Sequence, residues 1–210
     1  MITVFGRDSS ANVQAVMWCI AELGLEHERL DVGGSFGGTD TPEYRAMNPM
    51  GLVPVLKDGE TVLWESPTIV RYLMREYGEH PKDPVAAAKI EQWADWTRAH
   101  FYPELIPGVF YQLFRMTVEQ RSQATIDKSS AELDRLGAIV SDAITGPYFM
   151  GDQITVADYA LGTLMHRYFV MEFERGDHPA LARYYEALCD RPAFRDHVMK
   201  DPNVLKVAGA

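Results

Sequence analysis

Three places in the chain combine residue types that do chemistry with local signals that fix where they stand. Ser10 ends the polar run Arg7-Asp8-Ser9-Ser10, between the β-branched and aromatic stretch Ile2 to Phe5, stopped by Gly6, and the helically spaced Val13, Val16, Met17, Ile20 and Leu23. A hydroxyl there, beside N–H groups that lack intrahelical partners, either caps the helix or holds an anion at its mouth. Pro54 interrupts the apolar run Val53 to Leu56. Proline cannot donate to a ladder, so it needs an edge, a bulge or a cis bond, and each leaves a neighbouring backbone group free to bind something else. Ser66-Pro67 is a cap and first-turn pair opening a helix through Ile69, Val70 and Leu73.

Other chemistries find little support. The two cysteines, Cys19 and Cys189, lie 170 positions apart with no CxxC pair and no Cys/His cluster at zinc-ligand spacing, which argues against a structural metal or a disulfide framework and fits a reducing cytoplasm. A net charge of −10 makes a general nucleic-acid or anionic-membrane binder improbable, although a local basic pocket stays open. No basic and apolar leader opens the sequence and no apolar run is long enough to span a membrane. With 47% hydrophobic and 24% charged residues over 210 positions, the chain should bury a core in one or two domains.

The elements that must position these residues fall into two groups. Strand signals at Ile2–Phe5, His27–Val32, Val53–Leu56 and Thr61–Trp64, with helical signals after Ser10, over Thr41–Met47 and after Ser66, predict the order βαβαββα over residues 1–79. Gly33 to Gly38 holds four glycines in six positions and reads as a mobile surface loop. Residues 80–84 carry two prolines and read as a linker with Asp83 capping the next helix. Residues 85–210 are helical in period or capping: Val85–Tyr102, Thr117–Ile144, Thr155 to about Glu172, Pro179–Asp190 and a short helix after Pro192, with Pro103 and Pro107 expected to bend or break the path.

Four stretches in this order resemble the glutathione transferase superfamily. They are Gly6 to Val13, Asn48-Pro49-Met50-Gly51-Leu52-Val53-Pro54-Val55-Leu56, Trp64-Glu65-Ser66-Pro67-Thr68-Ile69-Val70-Arg71-Tyr72-Leu73 and Gly151 to Asp158, and together they span nearly the whole chain. The resemblance is to cytosolic, bacterial-type members near the theta and nu classes. It implies an α+β thioredoxin-like N-terminal domain followed by an all-α helical bundle.

The resemblance also implies roles. Glutathione would be the co-substrate, with no metal. A thiol of pKa ~8.5 is only about 3% ionised at pH 7, and lowering that value by about two units takes ~2.7 kcal/mol of preferential stabilisation of the anion. Ser10 falls where serine-type members donate to the glutathione sulfur, and Asn12 is the alternative, because Ser10-Ala11-Asn12 has the form of the nu-type Thr-x-Asn arrangement. Val53-Pro54 would be the cis-proline element that presents Val53's backbone to the cysteinyl unit as an added strand. Glu65 and Ser66 would receive the γ-glutamyl end, the first accepting from its ammonium and the second holding its carboxylate. The aromatic-rich first helical region would line the second-substrate pocket, for which Phe110, Phe114 and Arg115 are the candidates. Arg98, His100 or Arg115 could orient an anionic co-substrate, against the plainer reading of each as a solvated surface charge. Thr155 and Asp158 read as a structural capping box.

Two departures bear on function. Leu52 stands where many members carry Lys or Gln to hold the glycyl carboxylate, which gives that task to Arg45 or the Gly33 to Gly38 loop or leaves the glycyl end in solvent; position 10 lacks the cysteine of members that form mixed disulfides. The expected protein is a cytoplasmic, homodimeric glutathione transferase acting on a small electrophile. The alternatives are a glutathione-dependent disulfide reductase or dehalogenase, or a non-catalytic binding or scaffold module of the same fold.

Overall fold

A computed structural model describes all residues, Met1 to Ala210. Strand β1 (Ile2–Phe5) lies centrally in a four-stranded mixed sheet of order β2-β1-β3-β4, parallel to β2 (His27–Leu30) and antiparallel to β3 (Val55–Asp58), which pairs with β4 (Thr61–Trp64). Helices α1 (Ala11–Glu22), α2 (Pro42–Met47) and α3 (Ser66–Glu76) complete the expected βαβαββα order. Val4 faces Leu56 across the β1–β3 pair and both are fully buried, so the core face of the sheet follows the alternation of the sequence.

Helix α1 is the joint between the two halves. Val13 to Ile20 are buried without interruption, which an amphipathic surface helix would not show. The reason is that α1 packs against α3 on one side and against α7 (Val156–Val170) and α9 (Pro192–His197) on the other. Trp18 meets Tyr159 and Phe194 edge-on at 4.7 and 5.0 Å, and its indole N–H donates to Glu22 at 2.9 Å. The mouth of α1 therefore opens where the two halves meet.

The helical half begins at α4 (Pro84–Trp96), capped by Asp83 accepting from the Ala86 N–H at 2.8 Å as expected. Of the bend or break expected at Pro103 and Pro107, the break does not occur. The path runs on through wide π-helical turns at Thr97–Phe101 and Glu104–Phe110 into α5 (Tyr111–Phe114). Pro103 keeps helical angles, φ −61° and ψ −37°. Proline removes an i to i−4 bond, and a widened turn re-spaces the remaining partners around the gap. The helix expected from Thr117 divides into a single turn, Val118–Gln120, and α6 (Gln123–Ala143), which has its own cap, the Ser122 hydroxyl accepting from Thr125 N–H at 3.2 Å. Helix α8 (Pro179–Cys189) completes the bundle. Cys19 is fully buried, whereas Cys189 is half-buried.

Asp158, fully buried in the first turn of α7, accepts from the Phe149 N–H at 2.8 Å, the Thr155 N–H at 2.8 Å and the Thr155 hydroxyl at 2.9 Å. It ties the segment before α7 to the helix start. No helix is long and apolar enough to cross a membrane.

Candidate active site

Ser10 is the N-cap of α1, and its hydroxyl makes no capping bond. The loop that carries it is held by other groups. Gln14 donates to the Asp8 carbonyl at 2.9 Å, and Arg167, on α7, donates to the Gln14 side-chain oxygen at 2.8 Å and to the Ser9 carbonyl at 3.0 Å. Both residues are almost fully buried, so the helical half fixes the loop and leaves the Ser10 hydroxyl uncommitted.

That hydroxyl opens onto a cleft of about 250 Å³ between the two halves, with Val53 across from α1. The Val53-Pro54 bond is cis, and neither the N–H nor the C=O of Val53 is engaged in a hydrogen bond. The far wall is built by Arg98, Tyr102, Ile106 and Phe110. A regular α-helix turns about 40° past one revolution every four residues, so three such steps would carry these side chains about 120° apart. The π-helical turns absorb that drift and keep all four on one line.

Beside the cleft, a cavity of about 50 Å³ shares Ala11, Asn12, Arg98 and Tyr102 with it and adds Ser66. The Ser66 hydroxyl donates to Asn12 Oδ1 at 3.4 Å. Ser66 is the first residue of α3 and nearly buried, so the helix-capping position falls on Glu65, one residue earlier than the Ser-Pro pair implies. Glu65 is the one non-glycine residue at positive φ, 70°, a conformation costing about 1–3 kcal/mol that turns the chain sharply from β4 into α3. Its side chain is exposed while the free N–H groups of α3 point past Ser66. An uncommitted hydroxyl at one helix mouth, an unpaired strand-like backbone at Val53 and a second helix mouth at Ser66 fit an extended peptide that ends in a carboxylate.

The electrostatics were only partly visible in the sequence. Arg7, Arg98, Arg115 and Arg167 line the cleft, no carboxylate does, and none of the four forms an ion pair. Burial, and then the like charge of Arg115, holds the Arg7 guanidinium below its usual range. Burial lowers Arg167 to about 10, which leaves it protonated at neutral pH, with Tyr102 opposing the shift and Arg7 adding to it. Arg98 lies over the Tyr102 ring, 4.2 Å from its centroid.

The structure brings Ser10, Asn12, Val53, Phe110 and Arg115 to one cleft and Ser66 to the adjoining cavity. Phe114 lies elsewhere. It stacks on Phe110 at 4.8 Å but lines a separate groove with Arg121 and His166, because the C-terminal segment crosses here: Val207 N–H donates to the Phe114 carbonyl at 2.9 Å and Leu205 takes the place on the cleft. His100 is exposed, tilted against Trp96 with ring centroids 5.8 Å apart, and not in the cleft. Tyr102 and Tyr111, from the aromatic-rich region expected to line the second-substrate pocket, face the cleft, and Arg7 and Arg167 belong to the lining without having been singled out. No group of three or more His, Cys, Asp or Glu side chains is arranged to hold a metal ion.

A four-stranded sheet with a cis-proline beside a cleft, roofed by a helical bundle, defines a two-domain protein with a thioredoxin-like first half. The family models for the glutathione S-transferase N-terminal and C-terminal domains match residues 4–81 and 110–187. The glutathione S-transferase GstB of Escherichia coli strain K12 is 37% identical over 210 residues, covering 95% of this chain and 98% of its own. Glutathione S-transferase 3 of Zea mays is 30% identical, covering 96% and 95%. A theta-class glutathione S-transferase of Xanthomonas axonopodis pv. citri, crystallised with glutathione bound, superposes with a TM-score of 0.90 at 38% identity over 96% of this chain and 98% of that one. The chain belongs to the glutathione S-transferase superfamily.

Proposed function

We propose that this protein is a glutathione transferase that grips the tripeptide along Val53, Glu65 and Ser66 and takes up the charge of its ionised sulfur at Ser10. The observation that carries the reading is the uncommitted Ser10 hydroxyl at the N-terminus of α1, facing the unpaired backbone of Val53 across the cleft. The Ser10 hydroxyl donates to the anion, and the first-turn N–H groups of α1 add favourable potential. The Val53 N–H and C=O hold the cysteinyl backbone extended. Ser66 and the α3 N-terminus hold the γ-glutamyl carboxylate, and Glu65 accepts from its ammonium. Arg45, exposed beside Gly51 and without an ion pair, is the cation we assign to the glycyl carboxylate that Leu52 cannot hold. When bound, glutathione supplies a thiolate nucleophile for substitution or addition at an electrophilic carbon.

A second reading gives the thiol to Asn12 and shifts weight towards disulfide reduction or dehalogenation. The bond from Ser66 engages the Asn12 oxygen and leaves its NH2 free to donate, which supports that reading. A non-catalytic scaffold has no use for the strain held at Glu65 or for an open Val53 edge. We further propose a division at residues 80–84 between domains 1–79 and 85–210, a cytoplasmic location, and a homodimer formed through the exposed apolar residues Met50, Leu52, Val62 and Trp64. Retention on immobilised glutathione, release by free glutathione and turnover of a model aryl halide are expected. Absence of all three favours the scaffold.

A further inference from the structure

The cleft holds more positive charge than the tripeptide accounts for. Its two carboxylates have their proposed holders at Ser66 and Arg45, neither of which lines the cleft, and its sulfur has Ser10. Four arginines remain around a space with no acidic residue, in a chain of net charge −10. Arg167 is spoken for by Gln14 and Ser9. Arg7 and Arg115 are not: neither donates a hydrogen bond from its side chain, and both also line the adjoining groove, where Asp8 and Asp201 stay beyond ion-pair distance. Arg7 is also aimed. Its side chain lies along Gly34, where a Cβ would come within 3.0 Å of Nε, at a φ of 62° that glycine adopts without strain.

Burial and the like charge of Arg115 both weigh on the Arg7 guanidinium, so it stays beside Arg115 at a cost unless an anion joins the pair. At about 250 Å³ the cleft is smaller than the about 300–1,000 Å³ of drug-sized sites, so it suits a single ring or less. We propose that the electrophile this site takes is a small molecule bearing a carboxylate or similar anion, held by Arg7 and Arg115 with Arg98 at the rim, so that these arginines set substrate class. The proposal rests on the transferase reading above.

The test uses a matched pair, a chlorodinitrobenzoate and the corresponding chlorodinitrobenzamide. In each, the sulfur forms a bond to the ring carbon, chloride leaves with the bonding electrons and the thiol proton goes to solvent. Each kcat/KM is divided by the uncatalysed rate constant with glutathione, and calorimetry of the two purified conjugates gives a readout free of chemistry. The carboxylate is expected to be favoured by about tenfold or more in both measurements, as one charge-assisted contact supplies. That ratio should collapse towards one in Arg115→Gln and in Arg7→Gln, with Arg115→Lys keeping part of it. Equal normalised rates and equal conjugate affinities in the parent protein would overturn the proposal while leaving the transferase reading intact. Variants that weaken both conjugates alike and lose glutathione affinity would assign the arginines to the tripeptide and also overturn it. If neither conjugate binds and glutathione gives no heat, the transferase reading itself fails and the proposal with it.

Discussion

The Ser66 hydroxyl donates to Asn12 Oδ1 at 3.4 Å, joining the starts of two helices 54 positions apart. Any ligand that meets α1 and α3 together is met by this pair. Removing the Ser66 hydroxyl should weaken glutathione binding by about 10- to 100-fold, the range for a hydrogen bond to a charged group. Asn12→Ala should cost less in glutathione affinity if Ser10 is the thiol donor. Calorimetry on both single variants and the double variant measures the coupling, and a larger loss of thiol ionisation in Asn12→Ala than in Ser10→Ala would move the role to Asn12.

Arg167 reaches the loop before α1 from the opposite half of the molecule, and we place it as a positioning residue for Ser10. Arg167→Met leaves the Ser9 carbonyl and the Gln14 oxygen without their donor. A stability loss of about 1–3 kcal/mol is expected from the unpaired buried groups. A purely structural role would stop there. The positioning role adds a fall in kcat larger than the rise in glutathione KM, together with an upward shift of the pH–rate profile, and Arg167→Lys should restore part of both.

The three hydrogen bonds accepted by Asp158 are inside the fold and outside the cleft. Asp158→Ala strands two backbone N–H groups and a hydroxyl, so a loss of about 2–5 kcal/mol is expected, read as a lowered denaturation midpoint. Asp158→Asn should fall between the two, because its amide oxygen can still accept but its NH2 meets donors.

Stability should fall on mild acidification. Burial lowers the proton affinity of His166, against a Lys200 carbonyl contact that raises it, and burial followed by the charge of Lys200 lowers that of His197. An imidazole with a depressed folded-state pKa takes up its proton first in the unfolded chain, so the stabilisation present above the unfolded value of about 6.5 is lost as pH drops through it. Denaturant midpoints at about pH 7.5 and about pH 5.5 should differ, and the His166→Gln, His197→Gln double variant should show a smaller difference.

The parts of the site that could be read from the sequence are those set by local rules. Ser10, Pro54 and Ser66 sit at chain punctuation, where capping chemistry and a proline without a donor restrict the backbone within a few residues. What escaped that reading depends on packing at a distance. Arg7 and Arg167 converge across 160 positions, and nothing near either residue announces it. Arg98 to Phe110 form one wall only because π-helical turns replace the break that Pro103 and Pro107 suggest. Phe114 keeps the spacing of that wall and still leaves it, since the C-terminal segment arrives to cover it.

The most direct test of the central claim is a pH titration of thiolate absorbance with glutathione bound to the protein, compared with Ser10→Ala. The account expects an apparent thiol pKa near or below about 7 in the parent protein, against about 8.5 for a free thiol, and a rise of about one unit or more in Ser10→Ala. A bound thiol that titrates like free glutathione, unchanged by the substitution, would contradict it.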